Sequence, residues 1–372
     1  MGNFYLKYSH HSISGPESWI RGIMTIFLIF ITLIPGISDS IDEYFLENIG
    51  GIKQAILIRG ENTENPVMLR LHGGPGYPYF PYLPEDGPLR DLEKHFTMIY
   101  WEQRGTGASF SHKLKKSSMN VERFVEDARE VIRFVKKKMN VNAVYIWGHS
   151  WGSNIGILLA EKYPGEIIAY IGTGQSVDPL ENERACYQHA LEKTSGENNL
   201  KGLKELNKID TANYGLKDAL KVRKWLYSYG GVIFSNGDER SYIDEKMVRR
   251  IWQTPQYRLS HKLNIIFHPY YSGRHLWDDM KAINLIEQAP EIQVPVYFLL
   301  GRHDRIVSSR IAAEYFERLQ APAGKQLIWF DYSAHRPHTE EPDKFFHTLV
   351  DKILPETQNR IRIPDSSVTE KE

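Results

Sequence analysis

Short β-rich runs alternate with helical patterns along most of this 372-residue chain, and that alternation limits the fold more than any other feature. Residues 52–60, 66–73, 96–105, 143–148, 167–174, 294–301 and 326–331 read as strands, several of them ending in glycine. Between the third and fourth runs, VERFVEDAREVIRFVKKKM repeats apolar residues at three-four spacing from Val121 to Met139, which makes one buried helical stripe. Strands separated by helices do not close as hairpins, so the expected fold is α/β: a mainly parallel central sheet flanked by helices. With 41% apolar residues the chain can bury such a core.

The alternation stops near Gln175 and resumes near Val294. The intervening stretch is helix-prone and rich in rings, among them Trp225, Tyr227, Tyr229, Phe234, Trp252, Tyr257, Phe267, Tyr270, Tyr271 and Trp277. It reads as a helical cap, residues 176–290, inserted between strands of a core made of residues 39–175 and 291–354. Most of these rings are expected to form the cap's own core and some to face a cleft. Residues 355–372 are polar and without periodicity, which suggests a loose tail.

Residues 1–38 differ in kind. From Ile23 to Ile37 the chain reads IMTIFLIFITLIPGI, with Lys7 and Arg21 upstream. As a helix this run would reach roughly 22 Å, short of the ~30 Å of a bilayer core, which suits a secretory signal better than a stable span. Gly36-Ile37-Ser38 supplies a small-x-small cleavage pattern. A cleaved export signal, an uncleaved membrane anchor and a buried core helix are the three readings. The first two imply a secreted or membrane-anchored protein, with membrane association through residues 23–37.

Lys plus Arg equals Asp plus Glu at 46 each, and no basic stripe suits nucleic acid as a partner. The single cysteine, Cys186, excludes an internal disulfide framework and a cysteine-built zinc site. No metal or other cofactor is expected.

WGHSWGS, residues 147–153, carries the chemistry. AVYIWG is a strand and WGSNIGILLAEKY a helical pattern stopped by Pro164, so Ser150 stands at a strand-to-helix turn. A residue there takes strained backbone angles, and Gly148 and Gly152 remove side chains that would collide around it. This is the G-x-S-x-G elbow, which exposes a serine hydroxyl at the carboxyl edge of a sheet. The helix that follows brings the backbone N–H of Trp151 to the same point. In LRLHGGPGYPYFP, starting at Leu69, two glycines at a strand end let backbone approach a reacting carbonyl, so the N–H of Gly74 is the expected second oxyanion donor.

A serine needs a base, and the base an orienting acid, following in the order Ser, Asp or Glu, His on this kind of sheet. Asp304 lies in the loop after VPVYFLLG, and His335 in the loop after QLIWFD. His338 is a rival base, and Asp331 and Asp278 are rival acids. His149 and His303 read as packing and surface residues.

Together, His72-Gly73-Gly74-Pro75-Gly76, Gln103-Arg104-Gly105 with Gly107 and Ser109, Gly148-His149-Ser150-Trp151-Gly152-Ser153, Gly301 with Asp304, and His335 with Pro337 and Glu340-Glu341-Pro342 resemble the α/β-hydrolase superfamily. The likeness spans about residues 52–354 and is most specific for its proline iminopeptidase branch. It implies a cap over the site and removal of an N-terminal residue from short peptides through an acyl-enzyme. By the same resemblance Ser150, Asp304 and His335 match the triad, and Gly74 and Trp151 the oxyanion positions. Two positions depart from the family pattern: Glu102 stands where it has aspartate, and His149 where it has glycine. Family peptidases hold the substrate's free amine with cap acids. Glu181, Glu183, Glu239 and Glu245 are candidates here, with solvated surface acids as the alternative.

The expected activity is therefore a serine hydrolase cleaving small peptides or amides as an aminopeptidase, or small apolar esters. A carboxylate pair buried in the cap would favour the peptide, because a charged amine entering a dry cleft must be paired. A non-catalytic binding module is the reading from another class; the intact elbow and triad count against it.

Overall fold

The structure is a computed structural model and describes residues 39–83, 87–234, 245–269 and 271–361. The apolar run at 23–37 lies outside them. Among the described residues no helix is long and apolar enough to cross a membrane.

Eight strands form one sheet: β1 (Ile41–Ile49), β2 (Ile52–Gly60), β3 (Val67–Leu71), β4 (Thr97–Glu102), β5 (Val144–His149), β6 (Ile167–Thr173), β7 (Val296–Gly301) and β8 (Lys325–Phe330). Their spatial order is β1-β2-β4-β3-β5-β6-β7-β8, parallel from β4 through β8 and antiparallel at β1 and β2. All seven expected strands are present; β1 is an addition, closed onto β2 as a hairpin through Gly50-Gly51. Every residue of β3 through β7 is buried, as befits parallel strands covered on both faces.

The helices are α1 (Gly87–Asp91), α2 (Val121–Met139), α3 (Trp151–Lys162), α4 (Pro179–Gly196), α5 (Leu200–Leu206), α6 (Leu216–Ser228), α7 (Glu245–Gln253), α8 (Leu259–Phe267), α9 (Tyr271–Lys281), α10 (Leu285–Gln288), α11 (Ser309–Arg318), α12 (Pro337–Glu340), α13 (Pro342–His347) and α14 (Leu354–Ile361). Period-two alternation divides strand side chains between two cores. One holds Leu69, Leu71, Ile99 and Trp101 against Phe124 of α2, Ile155 of α3 and Tyr315 of α11. The other holds Met68, Tyr100, Tyr145 and Trp147 against Phe345 of α13. Truncating a ring such as Phe124, which is fully buried, to alanine would cost on the order of 3–5 kcal/mol.

Between β6 and β7, α4 to α6 enclose a small core of their own around Cys186, Leu206, Val222, Trp225 and Leu226. Trp252 and Phe267, by contrast, are exposed.

Residues 355–361, expected to open a loose tail, belong instead to α14, which is docked on the sheet by polar bonds. Thr357 Oγ1 lies 2.6 Å from the Tyr145 hydroxyl, Tyr297 donates to Glu356 (2.9 Å), and Arg360 Nε donates to the Ile168 carbonyl (3.1 Å). Such bonds leave no apolar periodicity to read.

Chain order fixes where a site can lie. From β3 the chain steps to β4 on one side, then crosses to β5 on the other. The carboxyl ends of β3 and β5 therefore flank a topological switch point, where loops diverge and leave a crevice.

Candidate active site

Ser150 follows β5 at that crevice, with φ 53° and ψ −122°. An L-residue there is strained by on the order of 1–3 kcal/mol, so its surroundings must over-determine it. They do so on three sides. The Ser150 N–H donates to the Thr173 carbonyl at the end of β6 (3.0 Å), and its own carbonyl accepts from Ser153 N (2.8 Å) and Ser153 Oγ (2.5 Å). A methyl group on Gly148 would meet the Gly152 oxygen at 2.6 Å, and one on Gly152 the Leu71 oxygen at 2.2 Å. The glycines of the elbow are thus sterically required.

The loop after β3 closes against the serine. A methyl group on Gly73 would lie 3.2 Å from Ser150 Cβ, a tight contact, so glycine lets this backbone approach the serine closely. His72 Nε2 accepts from the Gln103 N–H (3.2 Å), which assigns the proton to Nδ1, 2.7 Å from the Gly73 oxygen. Burial holds this imidazole neutral, lowering its pKa to about 4. A trans peptide points its C=O and N–H in opposite directions, so anchoring the Gly73 oxygen on His72 turns the Gly74 N–H the other way. Gln103 also donates to the His72 carbonyl (2.9 Å) and accepts from the Trp151 indole (2.9 Å). One side chain therefore ties together the two residues whose N–H groups the sequence singles out, Gly74 through His72 and Trp151 directly. Trp151 opens α3, where first-turn N–H groups have no intrahelical partner. Sequence reasoning assigned no role to His72 or Gln103, although both lie inside the motifs it quoted.

The structure brings Asp304 and His335 together: His335 Nδ1 lies 2.8 Å from Asp304 Oδ2. The other carboxylate oxygen accepts from the N–H groups of Ile306 and Val307, both at 2.9 Å, so the acid cannot swing. A methyl group on Gly174 would lie 3.0 Å from the His335 ring, which sets that ring at the end of β6, beside the elbow. The rivals are engaged elsewhere. His338 is buried against Trp147 and bonds to none of the rival acids; Asp331 is exposed and pairs with Arg302 (2.7 Å), and Asp278 pairs with Lys281 (2.9 Å). His149 packs its ring 4.8 Å from those of both His335 and His338 and bonds Thr173 Oγ1 (3.2 Å). Burial, reinforced by His335, His338 and Arg70, drives its pKa well below the usual histidine range. His303 stacks on Phe234.

A short strip of the cap, residues 231–234, is bonded to both loops. The Arg305 N–H donates to the Gly231 carbonyl (2.9 Å), and the His335 N–H to the Val232 carbonyl (3.0 Å). Phe234 N–H donates to Glu340 (2.7 Å), which also accepts from the N–H groups of Ala334 and Arg336.

Glu102, the departure from the family pattern, is fully buried. It accepts from the N–H groups of Tyr79 (3.0 Å), Phe80 (3.3 Å) and Ala108 (2.7 Å) and from the hydroxyl of Tyr257 in the cap. Burial nonetheless raises its pKa to about 7.

The four acids singled out for the substrate amine fare differently. Glu183 is buried but held by Arg223, with the Tyr214 hydroxyl donating to it as well (3.1 Å). Glu181 pairs with Arg184. Glu239 and the side chain of Glu245 lie outside the described residues.

Residues 66–342 match the family model described as alpha/beta hydrolase fold, and the chain belongs to that family. A Bacillus subtilis (strain 168) protein named probable aminopeptidase YbaC is 31% identical over 303 residues, covering 81% of this chain and 93% of its own. A proline iminopeptidase of Heyndrickxia coagulans is 25% identical, covering 83% and 97%. A proline iminopeptidase-related protein of Thermus thermophilus shares the fold, with a TM-score of 0.56 at 17% identity over 87% of this chain and 99% of that one. Within the family the chain falls in the proline iminopeptidase-like branch.

Proposed function

We propose that the protein is a serine hydrolase that removes N-terminal residues from small peptides or amides. Ser150 Oγ attacks the carbonyl carbon while His335 Nε2 takes its proton, and Asp304 steadies the imidazolium through the Nδ1–H bond. The oxyanion is met by the N–H groups of Gly74 and Trp151. The imidazolium gives its proton to the departing amine; water then enters, loses a proton to His335, and releases the acyl group with Ser150 restored. The observation carrying this reading is the Asp304–His335 bond at the edge where the strained Ser150 emerges. The names of the relatives favour an aminopeptidase.

A second reading, hydrolysis of small apolar esters, draws on one observation. Among the described residues Glu183 is the one buried carboxylate of the cap, and Arg223 already neutralises it. Proline and alanine arylamides assayed beside nitrophenyl esters separate the two: ester turnover without arylamide turnover would reject the peptidase. The run at 23–37 adds the proposal that the enzyme works outside the cytoplasm or at a membrane.

A further inference from the structure

Helix α8 carries Leu259, Leu263, Ile266 and Phe267, all exposed, Leu259 and Phe267 by 61% and 71%. Their spacing puts them on one helix face. The other side is occupied: Ile265 is buried, Asn264 bonds His112 (3.1 Å), and His268 just beyond the helix stacks on Phe110. The helix is thus held to the loop after β4 and turns its more apolar side outward. Lys262 borders that face and donates to the Trp252 carbonyl of α7 (2.6 Å), which sets the half-exposed Trp252 alongside.

Charge is distributed as unevenly as hydrophobicity. From Lys246 to Trp277 the chain holds Lys246, Arg249, Arg250, Arg258, Lys262 and Arg274 and no acid, within a sequence balanced at 46 and 46. Acids resume only at Glu245 and Asp278. Arg249, Arg250, Arg258 and Arg274 are exposed and, among the described residues, form no ion pair. Apolar side chains in a segment whose charged residues are all cations match a surface that is apolar beneath and anionic at its boundary. A second copy would set like charges against each other, and the uncharged run at 23–37 would leave the cations unmatched.

We infer that the α7–α8 face of the cap is an interfacial surface that docks on anionic lipid bilayers. Phe267→Cys in the full chain can be labelled with an environment-sensitive fluorophore, because Cys186 is buried and burial suppresses its thiolate. Leu200→Cys, on an exposed residue of α5, serves as the reference position. With vesicles containing about 30% phosphatidylglycerol the probe at 267 shifts to the blue and brightens several-fold; at 200, or with phosphatidylcholine alone, it does not. The double change Leu263→Asp with Ile266→Asp, at an unfolding midpoint matching wild type, weakens vesicle binding roughly ten-fold or more. An equal response to neutral vesicles, vesicle binding that leaves the probe at 267 unchanged, or binding unaffected by the double change overturns the inference. So does a blue shift without lipid, whether it grows with protein concentration, marking a second copy, or disappears with Phe27→Asp, marking the chain's own apolar run.

Discussion

Gln103 joins His72 to Trp151: its amide donates to the carbonyl of one and accepts from the indole of the other, at 2.9 Å each. The backbone on either side of Ser150 is therefore braced by a residue that need not touch the substrate. Gln103→Leu would remove both bonds and leave a buried indole N–H unpaired. We expect kcat to fall on the order of 10- to 100-fold with KM little changed, as suits an interaction felt mainly in the transition state. A loss confined to KM would show that the brace shapes substrate binding instead.

Ser150→Ala removes the attacking oxygen without adding bulk. Turnover should drop by at least about a thousand-fold and fluorophosphonate labelling should vanish, while the unfolding midpoint stays close to wild type. Persistent labelling would move the nucleophile elsewhere.

Asp304→Asn keeps an oxygen for the Ile306 and Val307 N–H groups but presents an amide donor to His335 Nδ1. The imidazole must then carry its proton on Nε2, the wrong tautomer for a base, and kcat should fall on the order of 10³- to 10⁴-fold. Steady-state rates on the best arylamide or ester check this.

Glu102 gives a pH dependence with a defined sign. Its pKa rises from 4.5 to about 7 on folding, so between those values the native state binds more protons than the unfolded chain. Its contribution is thus most favourable below pH 4.5 and is lost as pH climbs toward 7, by about 3 kcal/mol in all. Glu102→Gln should flatten this slope, seen as a difference from wild type in thermal unfolding between these two pH values. Parallel profiles would mean that the carboxyl is ionised throughout.

Much of this architecture was legible because parallel strands leave near-continuous apolar runs and α2 a clean three-four stripe. Ser150, Asp304 and His335 could be singled out because each follows a recognisable strand, and strand ends are where such a sheet offers chemistry. What escaped has physical causes too. The β1 strand is largely exposed and lacks an apolar run. Asp127 of α2 is fully buried and takes both Arg104 and Gln54. Partners set 23 and 73 residues away carry no local signal. His72 and Gln103 were hidden differently, since their work is done by hydrogen bonds that only the folded chain brings into register.

In the strip from Gly231 to Phe234, the Gly231 and Val232 carbonyls bond the backbone of the loops bearing Asp304 and His335, and the Phe234 N–H bonds the Glu340 carboxylate. Any attempt to exchange this cap for a relative's, in order to retune selectivity, would have to leave these four residues in place. The seam between scaffold and interchangeable part runs inside the insertion, beyond Phe234, and not at the strand ends where a cut would naturally be made.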